Sequence, residues 1–131
     1  MEDVSTGLLE AVLRDELKPN YLARCHRGNV ELLDDVLSMG LALGADVFQR
    51  QSLALRDRPD STDTLRSITC PTLVLCGDED RLCTPELHRE IATLIPGAQL
   101  VLLPQCGHLS TMEQPDAVNQ ALVRWLNPDE E

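Results

Sequence analysis

Aromatic side chains are almost absent from this chain, which has one Phe, one Tyr and one Trp among its 131 residues. Its core must therefore be aliphatic, built from Leu, Val, Ile and Ala. Basic side chains are also scarce, because 11 Lys and Arg stand against 22 Asp and Glu, for a net charge of −11. Nucleic acids and anionic membranes are bound through basic patches, so the sequence argues against both kinds of partner.

Long hydrophobic runs are missing too. No apolar stretch approaches the roughly 18 residues that read as a membrane-spanning helix. The chain starts with Met1-Glu2-Asp3, which is acidic, whereas a signal peptide starts with a basic segment. Its length suits one domain of ordinary size. We expect a cytoplasmic protein that does not bind a membrane.

The cysteines are odd in number and include no Cys-x-x-Cys pair. A zinc site would need closer pairs, with histidines at ligand spacing, so we predict no metal site and no cofactor. We expect reduced and mostly buried thiols. Two of the three histidines, His26 and His88, are assigned no role. The five cysteines are Cys25, Cys70, Cys76, Cys83 and Cys106.

The first half of the chain has the periodicity of helices. Apolar residues recur at helical spacing in its first segment, which Pro19 is predicted to end. Residues 20–27 suggest a short helix closed by Gly28, and residues 62–68 predict one or two further turns. The apolar positions of the first segment are Leu8, Leu9, Val12, Leu13 and Leu17.

Two longer helices are predicted between these segments. Asn29 is a suitable N-cap for one of them, which is predicted to stop at Gly44. Asp46 and Gln49 form a capping-box pattern for the other, which is predicted to run to about Leu55.

Two short apolar runs lie in the second half, at 72–76 and 99–103. Gly77 follows the first directly, and Gly107 comes four residues after the second. A helical stretch at 85–95 separates them, and a last helix is predicted at 115–126. A strand–helix–strand unit makes its two strands parallel neighbours. The chain is therefore predicted to have an α/β fold.

A polar residue that can do chemistry follows each predicted strand, Asp80 after the first and His108 after the second. The carboxyl ends of parallel strands lie at the edge of the sheet where open α/β folds bind ligands. We expect these two side chains within about 2.6–3.2 Å of each other when bonded, as two members of a nucleophile–base–orienter triad. From the residues alone, Asp78 or Glu79 could also face the histidine.

Several motifs in this order resemble the C-terminal half of an α/β-hydrolase. They are Cys70-Pro71-Thr72-Leu73-Val74-Leu75-Cys76-Gly77-Asp78-Glu79-Asp80, Thr84-Pro85, Ile95-Pro96-Gly97-Ala98, Cys106-Gly107-His108-Leu109-Ser110, Glu113-Gln114-Pro115 and Trp125-Leu126. The resemblance covers residues 65–126, and residues 1–60 are more loosely similar to the helical cap of that family. It implies a cap-like segment at 1–60, part of the hydrolase core at 61–131, and Asp80 and His108 as catalytic acid and histidine.

The activity that the resemblance implies is hydrolysis of an ester, lactone or similar small substrate. His108 would deprotonate the nucleophile, and Asp80 would hold the tautomer of the ring. The family's Gly-x-Ser-x-Gly nucleophile elbow and its oxyanion-hole motif are missing from these 131 residues. The sequence thus looks like the last half of a hydrolase beginning at its own methionine. We expect no activity from it alone, with the nucleophile supplied by a separate chain or segment.

Two residues could be considered as nucleophiles within the chain. Ser38 lies in Val36-Leu37-Ser38-Met39-Gly40, a partial elbow, but the branched Val36 suits a strained turn poorly and its surroundings have a helical pattern. Cys106 would reverse the usual chain order and is better explained as a small side chain lining the site. The alternative function is a non-catalytic binding or dimerisation module derived from a hydrolase.

A homodimer without a stable monomer is also predicted. A two-stranded sheet is marginal alone, and the edge at 72–76 is apolar, with no lysine or proline to protect it. The Leu-rich faces of the cap-like helices are left uncovered as well. Two chains that meet about a two-fold axis would remove both defects. Either the edges at 72–76 pair antiparallel into a four-stranded sheet, or the helical halves swap between subunits. Such an obligate interface should exceed about 2,000 Å² in total.

Overall fold

A computed structural model describes residues 2–129, with side chains for residues 7–15 and 20–129. Helices form the first half, and a two-stranded parallel sheet with flanking helices forms the second, which confirms the predicted α/β fold class. No helix in residues 2–129 is long and apolar enough to cross a membrane. The elements are α1 Glu2–Ala11, α2 Lys18–Tyr21, α3 Val30–Leu43, α4 Ala45–Asp57, α5 Thr62–Arg66, β1 Leu73–Gly77, α6 Pro85–Leu94, β2 Gln99–Leu103, α7 Ser110–Glu113 and α8 Pro115–Leu126.

The first helical segment continues past Pro19, so the prediction that it ends there was wrong. Between α1 and α2 the chain forms wider, π-helical turns at Val12–Leu17. A proline removes one backbone donor from a helix, and a change of helical register is one way to continue around that gap. The side chain of Leu17, one of the predicted apolar positions, lies outside the described residues.

The predicted helix at 20–27 is also wrong. Helix α2 ends at Tyr21, and only a single 3₁₀ turn follows, at Arg24–His26. Between them Leu22 and Ala23 are 1% and 0% exposed, and Ala23 has extended backbone angles. Burial against the second half of the chain has overridden a weak local helical preference. We call residues 21–26 the connector, because they join α2 to α3.

Helix α3 begins and ends as predicted. The Asn29 side chain accepts a hydrogen bond from the Leu32 N–H at 3.1 Å, and Gly44 follows the last turn. The predicted capping box at Asp46 is wrong, since α4 already begins at Ala45 with Gly44 in the capping position. Gly44 has a φ of 83°, a left-handed conformation that glycine adopts at little cost. It can therefore reverse the chain directly from one helix into the next.

The two strands pair in parallel, with Leu73 opposite Gln99 and Gly77 opposite Leu103. This confirms the predicted pairing, and β1 begins one residue later than expected. Helix α6 crosses between the strands. Its first residue is Pro85, and the Thr84 side chain accepts a hydrogen bond from the Leu87 N–H, so both N-terminal signals of this helix are used.

The core is aliphatic, as expected, and falls into two small clusters. One lies among the first helices and is built from Leu9, Leu13 and Leu37. The other lies under the sheet, where Leu103 and Cys106 pack against Val118 of α8. The sheet cluster packs directly beneath the ends of the strands, so it supports the loops that carry Asp80 and His108.

The expectation of mostly buried thiols was wrong, because only Cys76 and Cys106 are buried. Burial raises the pKa of the Cys76 thiol to about 11 and that of Cys106 to about 12. Both thiols should therefore be neutral and shielded at neutral pH. Since a thiolate is the reactive form of cysteine, these two should resist modification, whereas the three exposed cysteines should not. Those three are Cys25, Cys70 and Cys83.

Titration of the folded chain with a chromogenic disulfide reagent at pH 8 should accordingly release three equivalents quickly. The remaining two should react only after addition of urea, which serves as the control because it makes all five thiols accessible. Five equivalents released at once from the folded chain would contradict this assignment of burial.

Candidate active site

The ends of the two strands lie in direct contact. Beyond β1, the Asp78 N–H donates to the Leu103 carbonyl oxygen at 2.8 Å, and the Glu79 N–H donates to the Cys106 carbonyl oxygen at 2.8 Å. A Cβ atom on Gly77 would collide with the carbonyl oxygens of both Cys106 and Gly107. A residue without a side chain is therefore needed here to bring the loop after β1 against the loop after β2.

Asp80 lies in the loop after β1 and is 6% exposed. Its Oδ1 atom accepts hydrogen bonds from the backbone N–H groups of Leu82 and Cys83, both at 3.0 Å. Buried carboxylates require such partners, since an unpaired charge away from water is costly. These two backbone bonds orient the carboxylate independently of the histidine.

His108 meets that carboxylate with its Nδ1 atom, which lies 3.0 Å from Oδ2 and 3.1 Å from Oδ1 of Asp80. Because Asp80 already accepts two backbone N–H bonds, Nδ1 is assigned as the protonated nitrogen that donates to it. The neutral ring then carries its lone pair on Nε2. The side chain is 33% exposed, so the pair combines a buried acid with a histidine that solvent or a substrate can reach.

The structure also decides among the three neighbouring acids. Glu79 uses its Oε1 atom to accept the Arg24 N–H at 3.2 Å, and Asp78 lies 3.5 Å from the Cys106 N–H. Of the three, the structure pairs only Asp80 with the histidine ring. The two others link the loop after β1 to neighbouring backbone.

Neither candidate nucleophile has the required setting. Ser38 lies inside α3 and not at a turn between a strand and a helix. Cys106 is 0% exposed, and burial, with the Glu113 carboxylate nearby, raises the pKa of its thiol to about 12. A thiol with that pKa is protonated at neutral pH and is a weak nucleophile.

Comparison with known proteins identifies the fold. A sequence profile described as the alpha/beta hydrolase family matches residues 3–121, which is most of the chain. This chain belongs to the alpha/beta hydrolase family. The predicted resemblance, drawn from the motifs of the second half, is thereby confirmed.

Solved structures and curated sequences agree with that membership. A thermophilic esterase from Thermogutta terrifontis is 33% identical, with a TM-score of 0.82 over 97% of this chain and 50% of its own. Est816, described as an N-acyl homoserine lactone degrading enzyme, is 27% identical, with a TM-score of 0.68 over 90% of this chain and 46% of its own.

A third relative is the dihydrolipoyllysine-residue acetyltransferase component of an acetoin cleaving system from Pseudomonas putida. It is 32% identical over 126 residues, which are 92% of this chain and 33% of that protein. This alpha/beta hydrolase chain therefore spans about half the length of the two solved structures and a third of the curated relative.

Three residues of this alpha/beta hydrolase chain surround the Asp80–His108 pair without having been predicted. Glu113 belongs to one of the motifs of the resemblance, which implies no role for it. His26, for which the sequence predicts no role, lies with its Nδ1 atom 3.1 Å from Glu113 Oε1. Tyr21 stacks on the ring of His108, with centroids 6.0 Å apart. No local pattern indicates the roles of these residues, because each contacts a partner more than 80 positions away. His88, also set aside, lies 3.0 Å from Thr84 O of its own helix.

Proposed function

We propose that this chain carries the acid and the histidine of an ester or lactone hydrolase. The observation that supports this most directly is the hydrogen-bonded pair of buried Asp80 and partly exposed His108, at 3.0 Å. Nε2 of His108 would accept the proton of a serine hydroxyl as it attacks the acyl carbon, and would then return that proton to the leaving group. Asp80 would hold the ring tautomer and stabilise the imidazolium.

The substrate class in this proposal comes from the relatives, one described as an esterase and one as degrading a lactone. Both substrates pass through the same acyl-transfer chemistry, so one site of this kind could act on either. We assign residues 1–60 to a cap-like segment over the site and residues 61–131 to part of the hydrolase core. Residues 1, 130 and 131 lie outside the described range. The cytoplasmic location stays a prediction.

We further propose that the nucleophile and the oxyanion hole are supplied by a separate chain or segment. The 131 residues contain no Gly-x-Ser-x-Gly sequence, and the setting of Ser38 and of Cys106 disfavours both as substitutes. The chain by itself should then hydrolyse activated esters no faster than the background reaction.

A fusion tests both parts of this proposal. The half of the Thermogutta terrifontis esterase that this chain does not match would be joined to residues 1–131, and turnover of a p-nitrophenyl ester would be measured. The chain alone should be inactive and the fusion active, while the esterase half alone serves as the matched control. Robust turnover by the purified chain alone would contradict the proposal, as would a folded fusion without activity.

The second candidate function, a dimerisation module, is favoured by a specific feature of the surface. Within residues 2–129, β1 pairs only with β2, so its other edge is open. Three apolar side chains of the helical half, Leu8, Val30 and Leu55, are between 65% and 68% exposed. We propose that a second copy of the chain covers these surfaces, with or without catalytic function.

Sedimentation velocity at micromolar concentration should accordingly give the mass of a dimer and not that of a 14.5 kDa monomer. Replacing Leu8 and Leu55 by glutamate should shift the population towards monomer or unfolded chain, because charges buried in an apolar interface are unpaired. A well-folded monomer of the parent chain would overturn the dimer.

A further inference from the structure

Among the side chains that the structure describes, the most completely buried carboxylate outside the Asp80–His108 pair belongs to Glu113, the last residue of α7. Its side chain is 0% exposed. Oε1 accepts hydrogen bonds from the Ala23 N–H at 2.7 Å and from His26 Nδ1 at 3.1 Å. Oε2 accepts from the Gly107 N–H at 3.0 Å and from the Leu109 N–H at 3.2 Å. All four donors come from two segments that are far apart in the sequence.

Those segments are the connector and the loop that carries His108. Oε2 holds the backbone on both sides of the histidine, at Gly107 and at Leu109. The N–H of His108 itself donates to the Tyr21 carbonyl oxygen at 2.7 Å. Three consecutive backbone amides are therefore bound to fixed acceptors, two of them on the same carboxylate oxygen.

Packing reinforces the same contact. A Cβ atom on Gly107 would lie 2.6 Å from the Tyr21 carbonyl oxygen and 2.7 Å from the Ala23 nitrogen, so the loop rests directly on the connector backbone. The ring of Tyr21 stacks on that of His108 with an angle of 25° between their planes. The position of the connector is thus tied to both the backbone and the ring of the histidine.

We propose that Glu113 is a positioning residue that sets the orientation of His108 by clamping its loop to the connector. This rests on the proposed function, in which His108 is the general base. Asp80 fixes one end of the imidazole ring, but it can do so only if the backbone of residues 107–109 presents the ring at the right angle. Glu113 fixes that backbone, and through Ala23 and His26 it makes the helical half of the chain part of the same unit.

A carboxylate suits this place better than an amide of the same shape. Each of its two oxygens accepts from two donors, and neither oxygen has a donor to offer. In a Glu113→Gln variant one oxygen becomes an NH₂ group. Placed at Oε2, this group would face the N–H groups of Gly107 and Leu109 and lose both bonds. Placed at Oε1, it would lose the bond from the Ala23 N–H, although the His26 ring could change tautomer and accept from it. Either way at least one buried donor is left unpaired, which is costly in a dry environment.

The test is ¹⁵N–¹H NMR of the histidine rings in the 131-residue chain, in whatever oligomer it forms, since this signal does not depend on activity. The parent should show His108 in the Nδ1–H tautomer, with a resolved Nδ1–H resonance. Glu113→Ala, which removes both acceptor oxygens, should broaden or remove that resonance and mix the tautomers. Glu90→Ala, a control on the exposed face of α6, should leave it unchanged.

A folded Glu113→Ala variant with the parent's His108 signals would overturn the proposal and leave Glu113 with a structural role only. If that variant does not fold, Glu113→Asp replaces it. This change keeps the charge but moves the carboxylate away from its donors by one methylene group, and its His108 signals would be compared with those of the parent in the same way. In the active fusion, kcat should fall about 100-fold, as expected for a small misplacement of a catalytic group, with KM little changed. A fusion without activity would refute the proposed function, while the NMR result would still decide the role of Glu113.

Discussion

Replacing His108 by alanine in the active fusion should lower kcat by about 10⁵- to 10⁶-fold, the cost of removing the base from a serine triad. The expected loss is this large because Nε2 of His108 is the proposed acceptor of the serine proton. Replacing Asp80 by asparagine should cost on the order of 10⁴-fold, since the amide favours the wrong ring tautomer. Both losses would be measured as kcat on a p-nitrophenyl ester.

His88→Ala is the matched control for this experiment. His88 is also partly buried, but its Nδ1 atom lies 3.0 Å from the carbonyl oxygen of Thr84, the N-cap residue of its own helix. The control should retain the activity of the fusion. Equal losses in the His88 and His108 variants would mean that the assay reports folding and not catalysis, and an active His108→Ala variant would remove the proposed base.

Gly77→Ala should lower the free energy of unfolding by about 3 kcal/mol or more, at the upper end of what overpacking a close contact costs. The added methyl group would collide with the carbonyl oxygens of Cys106 and Gly107. Both obstacles are backbone, so no side-chain rotation can relieve them. The loops after the two strands would have to separate, and the Asp80–His108 bond would lengthen with them.

Urea unfolding followed by circular dichroism measures this difference. The control is Gly28→Ala, where the added methyl group would meet no atom within 4 Å. Replacing a glycine by alanine at a compatible, open position raises the free energy of unfolding by roughly 0.4–1 kcal/mol, because it lowers the entropy of the unfolded chain. A Gly77→Ala variant as stable as the Gly28→Ala variant would contradict the close approach of the two loops.

Much of the second half could be predicted because its signals are local. Each strand is a short apolar run, and α6 and α8 both begin at a proline, Pro85 and Pro115, which suits the first position of a helix. A helix between two strands then makes them parallel, which places Asp80 and His108 at one edge. The placement of both residues therefore follows without any contact that the sequence does not already indicate.

The errors in the first half came from segments where local signals are weak or compete. A proline usually ends a helix, but here wider turns at Val12–Leu17 lead into α2, and the helical backbone continues past Pro19. The stretch at 20–27 was predicted as helix, yet Leu22 and Ala23 are buried in an extended link. The helical propensity of a few neighbouring residues carries no information about contacts with distant parts of the sequence. In these segments the tertiary contacts determined the backbone conformation.

By itself, the sequence determined the strand–helix–strand unit and placed His108 and three neighbouring acids at its edge, because spacing, capping and apolar runs act over fewer than about a dozen residues. Among those acids the residues alone left the partner of the histidine open, the resemblance selected Asp80, and the tertiary structure shows Asp80 bonded to the ring. Only the tertiary structure decided that Glu113 holds the loop of His108 against Ala23 across 90 positions. Such a bond depends on where two distant segments are placed by the packing of everything between them. A buried carboxylate with four donors is therefore visible only in the folded chain.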